Sequence, residues 1–204
     1  MKESNPNGRL EGFSDGVFAI AITLLIIDIK LPATVNFDNV FGFWLALKHI
    51  TPSILAFLLS FIIIFITWVN HHACLKLLHK SSNSFVYANG FMLLTVVFIP
   101  FPTSLLGEYI LTDYAAPAVI LYNATLAMQA ISWILFTTAA IKNKLPRDEV
   151  ATQVFRENHK FGYFAFGLYT LCALFAIWFP LQVAVFTTAT WVFWFLWGKR
   201  ENQN

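Results

Sequence analysis

Residues 9–31 read Arg9-Leu-Glu-Gly-Phe-Ser-Asp-Gly-Val-Phe-Ala-Ile-Ala-Ile-Thr-Leu-Leu-Ile-Ile-Asp-Ile-Lys-Leu31. The stretch is apolar enough to enter a membrane, yet Arg9, Ser14 and Asp15 stand at its start. Ionisable groups cost several kcal/mol in a bilayer unless they are paired or wetted, so a span that keeps them does work beyond anchoring. By hydropathy alone it is the weakest span of the chain, because Asp15 and Asp28 bracket a short uncharged run, and a buried helix of a soluble protein would read the same way. The rest of the chain decides for the membrane.

The chain has 204 residues, 58% of them hydrophobic and 12% charged, with a mean hydropathy of +0.65. Soluble domains carry about 25% charged residues. The 22 Phe and 7 Trp suit lipid-facing and interfacial surfaces. A net charge of +2 gives nucleic-acid binding no support. Cys74 and Cys172 stand alone, with neither a disulfide framework nor zinc spacing. The acidic residues Glu3, Glu11 and Asp15 around the first apolar run, with no cleavage site after it, argue against a cleavable signal. Asn123-Ala-Thr125 matches a glycosylation sequon but lies inside an apolar run, so it is discounted.

A helix needs about 20 apolar residues to cross the hydrocarbon core. Uncharged runs of that length lie at residues 50–70, 81–107, 114–141 and 161–198, the last divided by Phe179-Pro180. With the opening stretch, this predicts an all-α integral membrane protein with six spans, at about 11–31, 50–72, 82–106, 114–141, 160–179 and 181–198. Of the 13 Lys and Arg, only Lys30 and Lys48 fall on one side of such an arrangement. The positive-inside rule then makes both termini cytoplasmic and puts Trp191, Trp194 and Trp197 near the inner interface. Residues 142–160 form a polar inner loop with room for a turn or short helix. The outer segment 33–48, containing Phe41-Gly-Phe-Trp-Leu-Ala-Leu47, lies in the interface or extends the second span. Pro100 and Pro102 should end or kink the third. No internal repeat is visible, and residues 1–204 form one domain.

An α-helix turns about 100° per residue. In the first span Ile20, Leu24, Ile27 and Leu31 therefore form one aliphatic stripe, Gly12, Gly16, Ala19 and Thr23 a neighbouring stripe of small residues, and Asp15 points about 150° from the aliphatic one. Rings of Ile and Leu about a symmetry axis can gate a pore by dewetting. The same spacing also describes an ordinary core or lipid-facing stripe, which spacing alone favours. The Thr23 hydroxyl has two fates, lining a pore or bonding back to the carbonyl of Ala19. Asp28 either concentrates cations at an outer mouth or ends the helix in solvent.

The orientation brings Arg9, Ser14 and Asp15 to the depth of Trp68, Asn70, His71 and His72 at the end of span two and of Asn89 near the start of span three. Three readings compete: an interhelical clamp that satisfies buried polar groups, a proton relay through Asp15 and the histidines, and a metal or catalytic centre. The last is the poorest, since adjacent helical histidines diverge by about 100° and no nucleophile motif is present. The chain also lacks a Thr-Val-Gly-Tyr-Gly filter loop, an arginine ladder, a nucleotide loop and an inverted repeat.

Arg9-x-x-x-Phe13-Ser14-Asp15 at the start of the first span resembles the R-x-x-x-F-S-D signature of the transmembrane protein 175 family of potassium channels. Trp68-x-x-His71-His72, Asn89 and Pro100-Phe-Pro-Thr103 are similar to later features of that family. The resemblance implies a potassium-permeable channel, not an enzyme, with no cofactor or metal, without a voltage sensor and with a pore lined by the first helix. A single repeat of this kind resembles the prokaryotic branch, which implies a homotetramer in a prokaryotic plasma membrane, in contact with lipid. It implies a hydrophobic gate at Ile20, further constrictions at Leu24 and Ile27, and a selectivity role for Thr23. It also implies a network in which Arg9, Ser14 and Asp15, beside Phe13 and Asn89, bond to Trp68 and to His71 or His72. The alternative is a proton channel or proton-coupled carrier using Asp15 and His71 or His72.

Overall fold

The computed structural model describes residues 7–27, 29–31 and 39–201, and for residues 192–201 the backbone alone. The readings placed on Asp28, Trp194 and Trp197 lie outside the described residues or side chains. The described residues form helices joined by short connections: α1 Gly8–Leu24, α2 Val40–His49, α3 Thr51–Lys76, α4 Asn83–Phe98, α5 Pro100–Tyr109, α6 Ala115–Lys142, α7 Glu149–Phe175 and α8 Pro180–Glu201. Among the described residues the sole extended pairing is an isolated bridge between Leu78 and Pro146.

Three of these units are long and apolar enough to cross a membrane: α3, α4 with α5, and α6. The break between α4 and α5 is where the prolines fall. Pro100 has no N–H to offer the carbonyl of Val96, and the Ile99 N–H takes that carbonyl instead, at 3.2 Å. Ile99 stays in the right-handed helical region, so the prolines bend a span rather than end it.

Two boundaries differ from expectation. The helix expected over 11–31 runs instead from Gly8 to Leu24, 17 residues, and Leu25–Ile27 form a turn. The β-branched Ile26, Ile27 and Ile29, with Pro32 beyond them, weaken helix in that stretch. The span expected at 160–179 begins at Glu149 and ends at Phe175. Asp148 caps it, its carboxylate accepting the Ala151 N–H at 2.7 Å, and this converts most of the supposed inner loop into helix. The segment after residue 38 forms a separate helix, α2, capped by Asn39, whose side chain accepts the Gly42 N–H at 2.8 Å.

α6 is the hub, packed against α4, α5, α7 and α8, while α3 packs against α1, α2, α5 and α8. Two glycines permit the closest approaches. A Cβ on Gly107 of α5 would sit 2.6 Å from the Ser53 Cα of α3, and one on Gly162 of α7 would sit 2.8 Å from Ile134 of α6. This is small-residue packing, suited to a medium that supplies no hydrophobic drive between helices. Buried polar side chains add hydrogen bonds between helices. Ser60 bonds both Thr103, at 2.7 Å, and Tyr122, at 3.0 Å. Thr187 donates to Asn123 at 2.9 Å, and Thr137 bonds His159 at 2.9 Å. Asn123, the sequon residue, is thus buried and engaged inside α6.

At the end of the bundle where α3, α4, α6 and α7 connect, a second apolar cluster forms from Leu75, Leu78, Phe85, Phe136, Leu145 and Phe155. α6 ends here in a Schellman motif: the Leu145 N–H reaches the Ala140 carbonyl at 3.0 Å and the Lys144 N–H that of Ile141 at 3.1 Å. Lys144 itself takes φ 51°, a left-handed conformation that costs a side chain about 1 kcal/mol.

Candidate functional site

α1 presents two unlike faces. Ser14, Phe18, Ala21 and Leu25 are buried, at the spacing of one helical stripe, against α3 and α4. The other side is open: Phe13 is 64% exposed, Ile20 58%, Leu24 38% and Ile27 56%. Gly12 and Gly16 lie on that side with nothing within 4 Å of where a side chain would begin. Bare glycines beside a branched aliphatic stripe leave room for another helix to come close. Ile27 falls in the turn beyond the last helical residue, so it continues the stripe without being held by helix.

The buried face is held by side-chain hydrogen bonds near its N-terminal end. The Trp68 indole Nε1–H donates to Asp15 Oδ1 at 2.8 Å. The Asn89 amide donates to Ser14 Oγ at 3.1 Å, and Asn89 Oδ1 accepts from His71 Nε2 at 2.6 Å. Ser14, His71 and Asn89 are each almost wholly buried. α1, α3 and α4 therefore meet through two neighbouring sets of polar side chains, Asp15 with Trp68 and Ser14 with Asn89 and His71. Such interhelical bonds contribute roughly 0.6–2 kcal/mol each in a membrane. Phe18 and Phe136 enclose the His71 ring, with centroids 5.3 and 5.4 Å away.

With Nε2–H donating, His71 Nδ1 holds a lone pair, buried and without a hydrogen-bond partner. His71, rather than His72, is thus the histidine of the network. His72 stacks on Trp68, with centroids 5.6 Å apart and planes at 23°, and its ring supports the indole that grips Asp15. The two imidazoles diverge as their helical rotation requires. No group of three or more His, Cys, Asp or Glu fit to hold a metal occurs among the described residues.

Two expected members lie outside the network. Arg9 is exposed in the first turn of α1 and reaches neither Asp15 nor α3. Six residues separate it from Asp15, a net rotation of about 120° that carries it to the open side. Phe13 is exposed as well. Its rotation places it on the Ile20 stripe, a position obtained by extending the 100° count two turns toward the N-terminus. Thr23 bonds back to its own helix, though to the carbonyl of Ile20 at 2.9 Å rather than that of Ala19.

Known proteins resemble this arrangement. The sequence profile of the family described as the endosomal/lysosomal potassium channel TMEM175 matches residues 9–100. A potassium channel from Chamaesiphon minutus is 40% identical over 164 residues, covering 78% of this chain and 80% of that protein. A potassium channel from Streptomyces collinus is 41% identical over 140 residues, 66% of each chain. Among solved structures, that of a lysosomal potassium-selective channel TMEM175 homolog from Chamaesiphon minutus superposes with a TM-score of 0.83. It is 33% identical and covers 95% of this chain and 98% of that one.

Proposed function

The chain belongs to the TMEM175 family of channels, which are not enzymes, and from that premise we propose that it is a homotetrameric, potassium-permeable cation channel. Four copies of α1 surround the axis and present Ile20, Leu24 and Ile27 to it. The observation that carries this reading is the asymmetry of α1: hydrogen bonds fix one face to α3 and α4, while on the opposite, aliphatic face Ile20 and Ile27 are more than half exposed among the described residues. A stripe of large aliphatic side chains at a symmetry axis narrows the path and expels water from it, which blocks hydrated ions until α1 rotates or the ring dilates. Ile20 is the tightest ring. Thr23 fits a modest preference for potassium. Its hydroxyl proton is engaged with the Ile20 carbonyl, so its oxygen lone pairs remain for a partly dehydrated cation.

In this account the six expected spans are α1, α3, α4 with α5, α6, α7 and α8. Both termini are cytoplasmic and the membrane is the plasma membrane of a prokaryote. The competing proton reading draws on the buried, unpartnered Nδ1 of His71 beside the Asp15 network. One measurement separates the two. Purified protein in planar bilayers, under a potassium-against-sodium gradient at equal pH, should reverse toward the potassium equilibrium potential. A reversal near zero there, joined to one that follows an imposed pH gradient, would replace the potassium channel with the proton pathway.

A further inference from the structure

We propose that the paired loops joining α3 to α4 and α6 to α7 form a binding surface for the headgroups of anionic phospholipids. The two loops are tied into one platform. His79 N–H donates to the Leu145 carbonyl at 3.1 Å, Arg147 N–H to that of Leu77 at 2.9 Å, and the Asn143 amide to Ser84 Oγ at 2.9 Å. Leu78 and Leu145 anchor the platform from beneath in the apolar cluster.

What the platform presents is cationic. Lys76, Lys80, Lys142, Lys144 and Arg147 are exposed, and neither residues 76–84 nor 142–147 contain a carboxylate. The nearest acids in sequence are occupied: Asp148 pairs with Arg147 at 3.3 Å and Glu149 with Arg156 at 3.0 Å. Among the described residues, none of the four lysines has a carboxylate within ion-pair distance. Lys144 holds a left-handed backbone position that glycine or asparagine takes more readily, and there it adds a charge to the rim.

Depth selects the occupant. The lysines stand at the ends of α3 and α6 and in the loops that follow them, at the margin of three units long enough to span the hydrocarbon core. Phosphodiester headgroups lie at that level, and clustered lysines just outside a span attract anionic lipid. The platform also touches the residue that precedes α1, because the Asn7 side chain donates to the Leu78 carbonyl at 3.4 Å. Bound lipid thus acts on the element that carries the start of α1.

The inference rests on the reading of the chain as membrane-embedded but not on what it conducts. Its test therefore reads lipid rather than current. Protein released from nanodiscs of equal phosphatidylglycerol and phosphatidylcholine is weighed by native mass spectrometry. Wild type should retain phosphatidylglycerol over phosphatidylcholine. The triple variant Lys80→Gln, Lys142→Gln, Lys144→Gln should lose that preference by about fivefold for each lysine removed. The triple arginine variant at the same positions should keep it. Equal retention of the two lipids by wild type would overturn the proposal. So would an undiminished phosphatidylglycerol preference in the glutamine variant, or an arginine variant that elutes as wild type and has lost it. Displacement of the lipid by a soluble acidic protein at physiological salt would assign the surface to that partner instead.

Discussion

Ile20→Asn raises steady cation current by about tenfold or more, the change that corresponds to removing about 1.4 kcal/mol from a barrier. Ile20 is large, branched and 58% exposed on the aliphatic face of α1. In a symmetric assembly the substitution changes every subunit at once. Each asparagine replaces apolar surface, worth roughly 1.5–3 kcal/mol when fully buried, with an amide that holds water, so the narrowing stays wet and the ion need not shed its shell. Leu24→Asn should act in the same direction but less strongly, since Leu24 is less exposed, at 38%. Single-channel recording checks both, with oligomer size measured alongside. Unchanged or reduced current through intact oligomers of Ile20→Asn would remove Ile20 from the gate.

The second large effect is on stability. Asn89 joins His71 to Ser14 and is itself 1% exposed. Asn89→Ala leaves two buried polar groups without partners, each costing about 1–3 kcal/mol. A total of about 2–6 kcal/mol lowers the melting temperature by about 4–24 °C for a chain of this size. α1 is the element released, so oligomers in detergent should fall apart at lower temperature than the whole bundle unfolds. Trp68→Phe removes the donor to Asp15 and should destabilise in the same sense while leaving the His71 branch intact. A change below about 0.5 kcal/mol for Asn89→Ala would mean that water already shares the network.

Much of this architecture was legible in the sequence, for reasons that differ by element. α3 and α6 announced themselves because long uncharged runs have one stable solution in lipid, and Pro100 and Pro102 marked a bend because a missing N–H cannot be hidden. That Asp15, Ser14, Trp68 and Asn89 meet at one depth followed from the need to satisfy buried polar groups, but the partner that Ser14 takes, Asn89 rather than Trp68 or a histidine, did not. The choice of His71 over His72 did not follow, because it depends on the rotation of α3 about its axis, which the neighbouring helices set. Arg9 was misplaced by grouping it with Asp15 in sequence when helical rotation turns the two apart. The start of α7 was missed because Asp148 is a helix cap inside a run that looks like a polar loop, and charge density hid an amphipathic helix. The pairing of the two loops had no sequence signal, since two of its three bonds are between backbone groups.

The central claim is that the uncovered face of α1 surrounds the conduction path. The most direct test is current through Ile20→Cys before and after a membrane-impermeant cationic thiol reagent. The native Cys74 and Cys172 are buried, so wild type serves as the control. The account predicts rapid block in the variant and none in wild type, because a cation attached at that depth fills and repels the path. A variant whose thiols are labelled while its current is unchanged would contradict it and place the aliphatic face of α1 toward lipid.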